Sequence, residues 1–198
     1  MSGPGATAVG IKVKDGVVLA AERRMSYGGF IMSKAARKVF KVGDRMGMAC
    51  AGLYADMQAI ARALENEIRY YEISNKRKMK VRSAARLLGL ILYSNKLFPL
   101  MTETVFGGYD DEPRIFVLDP VGSVIEEKYS AVGTGAPLAM ALLDKEYRED
   151  MSLEEAQNLA IESVKVASGR DSLSGDGIDV LVIPFGGKPS IRTVSLEA

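Results

Sequence analysis

Histidine is missing from this chain altogether, and so is tryptophan. Without an imidazole there is no Ser-His-Asp relay, no Cys-His pair and no histidine-ligated metal centre. The chemistry left open runs on lysine, carboxylates, hydroxyls or a chain amino terminus. Cysteine occurs once, at Cys50, so no internal disulfide can form, and one thiol in the apolar run from Met46 to Leu53 suits a reducing compartment. With no histidine to activate it, Cys50 is expected to be a buried structural thiol. No uninterrupted apolar stretch is long enough to cross a bilayer, and the first ten residues have neither the basic nor the apolar segment of a secretory signal. An excess of one charge is missing too. The 26 Lys and Arg face 25 Asp and Glu, a formal net charge of +1, which attracts neither nucleic acid nor an anionic membrane. The expectation is a soluble cytoplasmic protein with no metal, no cofactor, no nucleic-acid partner and no membrane partner.

What is present is enough apolar material for one core: 47% of 198 residues are hydrophobic, the scale of a single domain. From Thr7 the pattern alternates, with Thr7, Val9, Ile11 and Val13 on one face and Ala8, Gly10, Lys12 and Lys14 on the other. Asp15-Gly16 then reads as a hairpin turn and Val17 to Glu22 as the returning strand. A second strand pair fits Lys38 to Val42 and Arg45 to Cys50 across Gly43-Asp44. Helical spacing follows in Met57, Ile60, Ala61, Leu64, Ile68 and Tyr71, and after the basic loop Asn75 to Lys80 a second helix is expected from about Ser83 to Leu97, with Pro99 beyond it. Leu87, Leu88, Leu90, Ile91, Leu92 and Tyr93 make that helix apolar on nearly every side, so a sheet and a neighbour or partner chain should cover it. Strands are predicted at Thr102 to Gly107, Arg114 to Leu118 and Ser123 to Tyr129. A helix then opens behind Gly133-Thr-Gly135 with Pro137 in its first turn, and the capping box Ser152-Leu-Glu-Glu155 starts another that runs towards Gly169. Strands from Ile178 to Pro184 and Ser190 to Val194 close the chain. Strands, two helices, strands, two helices and strands again predict an α+β protein: two antiparallel sheets face to face with a helix pair outside each, a four-layer α-β-β-α sandwich.

No nucleophile elbow, phosphate-binding loop or dinucleotide fingerprint is present, and Gly133-Thr-Gly135 and Phe185-Gly-Gly-Lys188 read as turns. The chemistry-bearing residues are scattered: Glu22-Arg-Arg24 at a strand end, Lys38 at a strand start, Thr134 before a helix, and Arg170-Asp-Ser-Leu-Ser-Gly-Asp-Gly-Ile178 before a strand. Taken with Thr7-Ala-Val-Gly-Ile11, Asp15-Gly-Val-Val-Leu-Ala-Ala-Glu-Arg-Arg24, Ser33-Lys34, Ala51-Gly-Leu-Tyr-Ala-Asp56, Phe106-Gly-Gly-Tyr-Asp110 and Val132-Gly-Thr-Gly135, the chain resembles the β-type subunits of the proteasome core particle, in an archaeal-like form. The resemblance covers almost the whole chain without an internal gap, and the joint order of the motifs carries it.

That resemblance implies an amino-terminal-nucleophile hydrolase fold and a threonine-type endopeptidase complex. In active members a threonine exposed by self-cleavage after a glycine attacks the peptide carbonyl, and its α-amine, helped by a lysine, handles the proton. Gly5 matches the residue before the cut, and Ala6 stands in the place of the nucleophile. Residues 1–5 are then a retained leader and 6–198 the subunit domain. The remnant site comprises Glu22, where active members place Asp, Lys38, Thr134, where they commonly place Ser, and Asp171 with Ser174. Met25, Ala36, Cys50, Gly52 and Tyr54 match the specificity pocket. Thr7 is the alternative nucleophile, but neighbouring strand residues face opposite ways, so its side chain is expected to point away from Ala6. The implied partners are α-type subunits, a catalytic β-type subunit, polypeptide substrates and, through the α ring, an unfolding ATPase. The chain itself is expected to be inactive; the alternative is an active subunit carrying an engineered Thr→Ala change at position 6.

Overall fold

The computed structural model describes residues 5–196, so of the expected leader only Gly5 falls within the described residues. The first strand, β1 (Thr7–Val13), turns back into β2 (Gly16–Glu22) through the two-residue loop Lys14-Asp15. That turn lies one residue earlier than expected. Gly16 is instead the first strand residue, at φ 151, and a side chain there would run into the backbone of Ile183 and Pro184. A short hairpin follows, β3 (Met25–Tyr27) and β4 (Phe30–Ser33), which the sequence pattern did not reveal. Its strands are three and four residues long, too short to establish a period. Then come β5 (Val39–Val42) and β6 (Met46–Gly52), α1 (Tyr54–Asn75) and α2 (Val81–Ser94). The helix expected from Ser83 to Leu97 thus starts and stops earlier, and its last turn gives way to the bend before Pro99.

The third group of strands is β7 (Thr102–Tyr109), β8 (Pro113–Leu118), β9 (Val124–Glu127) and β10 (Tyr129–Gly133). The single strand expected over Ser123 to Tyr129 is in fact parts of two strands. Strand β9 pairs with β8, whereas β10 leaves for the other sheet and pairs with β1, and Lys128 is the pivot, its carbonyl accepting from the Lys12 amide at 2.8 Å. Helices α3 (Ala136–Glu146) and α4 (Leu153–Ser168) and strands β11 (Ile178–Pro184) and β12 (Ser190–Val194) complete the fold. The capping box is formed in full, with the Ser152 hydroxyl accepting from the Glu155 amide and the Glu155 carboxylate accepting from the Ser152 amide.

The strands make two five-stranded antiparallel sheets, in the orders β10-β1-β2-β11-β12 and β5-β6-β7-β8-β9. Three layers of apolar side chains set the stacking. Leu64, Leu88 and Leu92 of the first helix pair pack on Met48, Phe106 and Phe116 of the second sheet. Leu143, Leu159 and Val164 of the second pair pack on Val9, Ile11 and Val180 of the first. Between the sheets lie Ala6, Ala8, Leu19, Ala49, Val105, Leu181 and Ile183. Each large side chain removed from water in this way contributes about 1.5–3 kcal/mol, and the small residues at positions 6, 8, 21, 49 and 51 let the sheets approach. This is the α-β-β-α sandwich read from the order of elements.

Alternation along β1 sorts its residues cleanly. Ala6 and Ala8 belong to the layer between the sheets, while Val9, Ile11 and Val13 face the second helix pair. Among the described residues no helix is long and apolar enough to cross a membrane.

Candidate active site

The site lies at one end of the sandwich, where β2 ends, where the irregular segment before β5 begins, and where the loops before α3 and β11 come back to the start of β1. Glu22 is the last residue of β2 and is wholly buried. Lys38, 2% exposed, comes from the segment before β5 and places its ammonium on the Glu22 carboxylate and, at 2.6 Å, on the carbonyl of Arg24. The same carboxylate accepts from the amides of Arg24 at 2.7 Å, Gly175 at 3.1 Å and Thr7 at 3.4 Å. Burial pushes the Glu22 carboxyl above its ordinary range, and the Lys38 ammonium and the backbone N–H groups pull it back. Since the Thr7 amide belongs to the peptide bond of Ala6, the Lys38–Glu22 pair lies directly against Ala6.

A second polar group approaches the same peptide from the other side. The Thr134 hydroxyl, at the mouth of the loop before α3, lies 2.6 Å from Asp171 Oδ2 and 3.3 Å from the Ala6 carbonyl. Ser174 also donates to Asp171 Oδ2 at 2.6 Å and stands 2.8 Å from Thr7 Oγ1. Ser174 and Thr134 have one proton each, and the carboxylate takes both. The Thr7 hydroxyl must then donate to Ser174, and the Ala6 carbonyl is left to the Gly135 amide at 3.5 Å. Thr7 therefore faces α4, against Gly135 and Ala167, and not the layer that holds Ala6. The expected alternation holds, yet Thr7 is not outside the polar cluster, because its hydroxyl ends the chain that runs to Asp171.

Two glycines are required by the fit around Ala6. A Cβ on Gly5 would lie 2.8 Å from Thr134 Oγ1 and 2.6 Å from Leu173 Cβ. Gly133, at φ 97, has the Ala6 carbonyl where its own side chain would be, and its amide donates to Glu103 at 2.8 Å. Ala6 itself is wholly buried and ends in a methyl group.

The structure thus brings together Ala6, Glu22, Lys38, Thr134, Asp171 and Ser174, all named from the sequence. The five pocket residues are placed less uniformly. Met25, Gly52 and Tyr54 are half-buried, Ala36 is 4% exposed and Cys50 is fully covered. Cys50 faces the first helix pair, 3.6 Å from the Thr104 hydroxyl, with its thiol pushed up to about 12 by burial. Sequence reasoning gave no role to Arg24, whose side chain donates to Asp176 at 2.7 Å and to the Ser172 carbonyl at 2.9 Å, tying the end of β2 to the loop that carries Asp171 and Ser174. The Glu-Arg-Arg run at a strand end was the available signal. Glu103, on the amide of Gly133, had none. Among the described residues no group of three or more His, Cys, Asp or Glu converges as a metal site requires.

A buried lysine–carboxylate pair and a serine–aspartate pair flanking the start of the first strand of an α-β-β-α sandwich define the amino-terminal-nucleophile hydrolase class. The comparisons place the chain within it. A family model described as "Proteasome subunit" matches residues 4–183. The chain is 54% identical over 183 residues to "Proteasome subunit beta 1" of Hyperthermus butylicus, covering 91% of this chain and 90% of that one. It is 51% identical over 184 residues to "Proteasome subunit beta 2" of Pyrobaculum neutrophilum, covering 92% and 91%, and 52% identical over 181 residues to "Proteasome subunit beta 2" of Thermofilum pendens, covering 91% and 88%. The chain belongs to the proteasome subunit family, and within it to the archaeal β-type subunits of the core particle.

Proposed function

We propose that this chain is a non-catalytic β-type subunit that shares its ring with a catalytic paralogue and helps enclose the chamber in which polypeptides are degraded. The observation that carries the reading is Ala6. The Lys38–Glu22 pair and the Asp171–Ser174–Thr134 group meet at this residue, and it has no oxygen with which to attack a carbonyl. Loss of a nucleophile costs on the order of 10⁶ in rate where the other members of a catalytic group remain. In an active relative Lys38 and Glu22 would move the nucleophile's proton, and Asp171, Ser174 and Thr134 would hold the amino terminus. Here the same side chains keep a buried charge compensated. Met25, Ala36, Gly52 and Tyr54 then make an apolar wall beside a site without chemistry, while Cys50, fully covered against the first helix pair, lies behind it. The partners in this reading are α-type subunits, the catalytic β-type subunit and an unfolding ATPase docked on the α ring, in the cytoplasm. That the relatives bear the numbers beta 1 and beta 2 suits a ring of more than one β chain.

The test is reconstitution with α-type subunits and no second β subunit, followed by a peptide hydrolysis assay and mass spectrometry of the amino terminus. No turnover and an intact leader are expected. Robust turnover, or a new terminus at Thr7, would overturn the reading.

The completeness of the polar network favours a second reading, that position 6 held threonine until it was replaced deliberately. Every supporting side chain is in bonded contact around Ala6, as in a site under selection for chemistry. The natural gene decides between the two: a threonine codon at position 6 establishes the second.

A further inference from the structure

Lys38 stands at the end of a stretch with no regular structure, and its own carbonyl accepts from the Cys50 amide of β6 at 2.9 Å. After β4 ends at Ser33 the chain runs without strand pairing to Val39, so the ladder of the second sheet does not hold residues 34–37. The Ala35 amide donates to the Ser33 hydroxyl at 3.1 Å and Lys34 faces Asp176 at 3.8 Å; the contacts that join the segment to the end of β2 come from Arg23, the residue after Glu22, and from Asp179 on β11. The Arg23 carbonyl accepts from the Ala36 amide at 3.0 Å, and its guanidinium donates to the Ala35 carbonyl at 3.5 Å. Asp179 is wholly buried, beside Ala21 in the strand register, and its Oδ2 faces Arg23 Nε at 3.5 Å and Arg37 Nε at 3.9 Å. The other oxygen, Oδ1, accepts from the Thr193 hydroxyl at 2.6 Å, which fixes the carboxylate.

Oδ2 of Asp179 and Nε of Arg23 are both buried and neither has a hydrogen-bond partner. A buried carboxylate oxygen is costly unless its charge is used, and among the described residues the cations facing it are two arginines in particular places. Arg23 directly follows Glu22 and Arg37 directly precedes Lys38. We propose that Asp179 is a positioning residue for the Glu22–Lys38 pair: by drawing Arg23 and Arg37 to one buried charge, it fixes the end of β2 and the segment 34–37 relative to each other, so that ammonium and carboxylate meet. The inference rests on the reading of Glu22 and Lys38 as the retained proton-handling pair. Asp179 touches neither the nucleophile position nor the pair itself, and acts through the two arginines.

Two measurements test it. The first is a crystal structure of Asp179→Asn in the otherwise unchanged chain; asparagine keeps the shape and the Thr193 bond and removes the charge. Arg37 is expected to swing into solvent and Lys38 Nζ to leave hydrogen-bond reach of Glu22, and an unchanged Lys38–Glu22 contact overturns the proposal. The second uses the assembled particle carrying Ala6→Thr. Adding Asp179→Asn is expected to lower kcat by about 10- to 100-fold, the scale of a misplaced catalytic group, with KM unchanged and particle yield retained, while Asp179→Glu recovers part of the loss. An unchanged kcat, or a loss confined to assembly, overturns it. Should the Ala6→Thr parent be inactive, the reading of the pair fails, and the crystal structure alone decides the clamp. If Asp179→Asn does not fold, Arg37→Gln, at a side chain more than half exposed, makes the same comparison in both arms.

Discussion

Among single residues, Lys38 offers the sharpest test. Replacing it by methionine keeps the volume and strands the wholly buried Glu22 carboxylate, which costs about 3–5 kcal/mol when one partner of a buried pair is removed. The pH dependence follows from the direction of the Glu22 shift. Its pKa in the folded chain lies above the ordinary value of 4.5, so the native state binds this proton more tightly than the unfolded state. The contribution is fully present below about 4.5 and is lost as pH rises through the folded value. Without Lys38 the main lowering cause disappears and the folded value climbs further. The destabilisation by Lys38→Met is therefore expected to be larger at pH 8 than at pH 5, read from urea midpoints. Asp176 has the opposite sign: Arg24 holds it below the ordinary value of 3.8, so its contribution is present above that value and lost as pH falls through the folded one. All of the remnant-site residues could be named from the sequence because their types and order survive in one dimension. The Asp179 clamp could not, because Asp179 and Arg23 are 156 residues apart and, although Arg23 stands in the Glu-Arg-Arg run, nothing local marks Asp179 as its partner.

For whole elements, the reliable readings came from long or capped segments. The capping box of α4 is formed as its four residues suggested, and Ser152→Ala is expected to cost about 1 kcal/mol, seen as a fall in Tm of about 2–4 °C for a chain of this size. The β3–β4 hairpin shows the reverse. It belongs to neither main sheet, turns at Gly28 and Gly29 with φ 56 and 84, and leaves Tyr27 80% and Phe30 70% exposed. A two-stranded hairpin is at best marginally stable in water. In hydrogen exchange of the isolated chain, amides of Met25 to Ser33 are expected to exchange first and those of β1, β2 and β11 last; equal protection of both sets would contradict this. The split of Ser123 to Gly133 into β9 and β10 was illegible for a related reason. The strand expected over Ser123 to Tyr129 runs across the break between β9 and the start of β10, and only the competition between two sheet edges separates them at Lys128.

For the molecule as a whole, the apolar outer face of α2 and the segment beyond it stand out. Leu88 and Leu92 are buried, while Leu90 is 63% exposed, Tyr93 52%, Leu97 84% and Phe98 89%. The expected cover by a sheet is present, and among the described residues nothing covers the other side. With a sequence pI near 7.7, charge repulsion is weakest just where apolar surface is exposed. Light scattering of the isolated chain is expected to show the greatest mean mass near that pH and less at pH 5.5 or 9.5. A pH-independent mass would refute this.

The sequence by itself determined the four-layer architecture, because periods of 2 and 3.6 and the order of strands and helices leave few other ways to bury every apolar face. It also puts an alanine at position 6, where the family resemblance leads one to expect a nucleophile, since a missing hydroxyl is a matter of composition at one position. Only the tertiary structure decided how the charges around Ala6 are shared: that Asp171 takes the protons of both Thr134 and Ser174, that Thr7 completes the chain from the far face of β1, and that Asp179 holds the segment bearing Lys38 through two arginines. Such assignments depend on distances between strands remote in sequence, and those distances exist only once the two sheets have closed on each other.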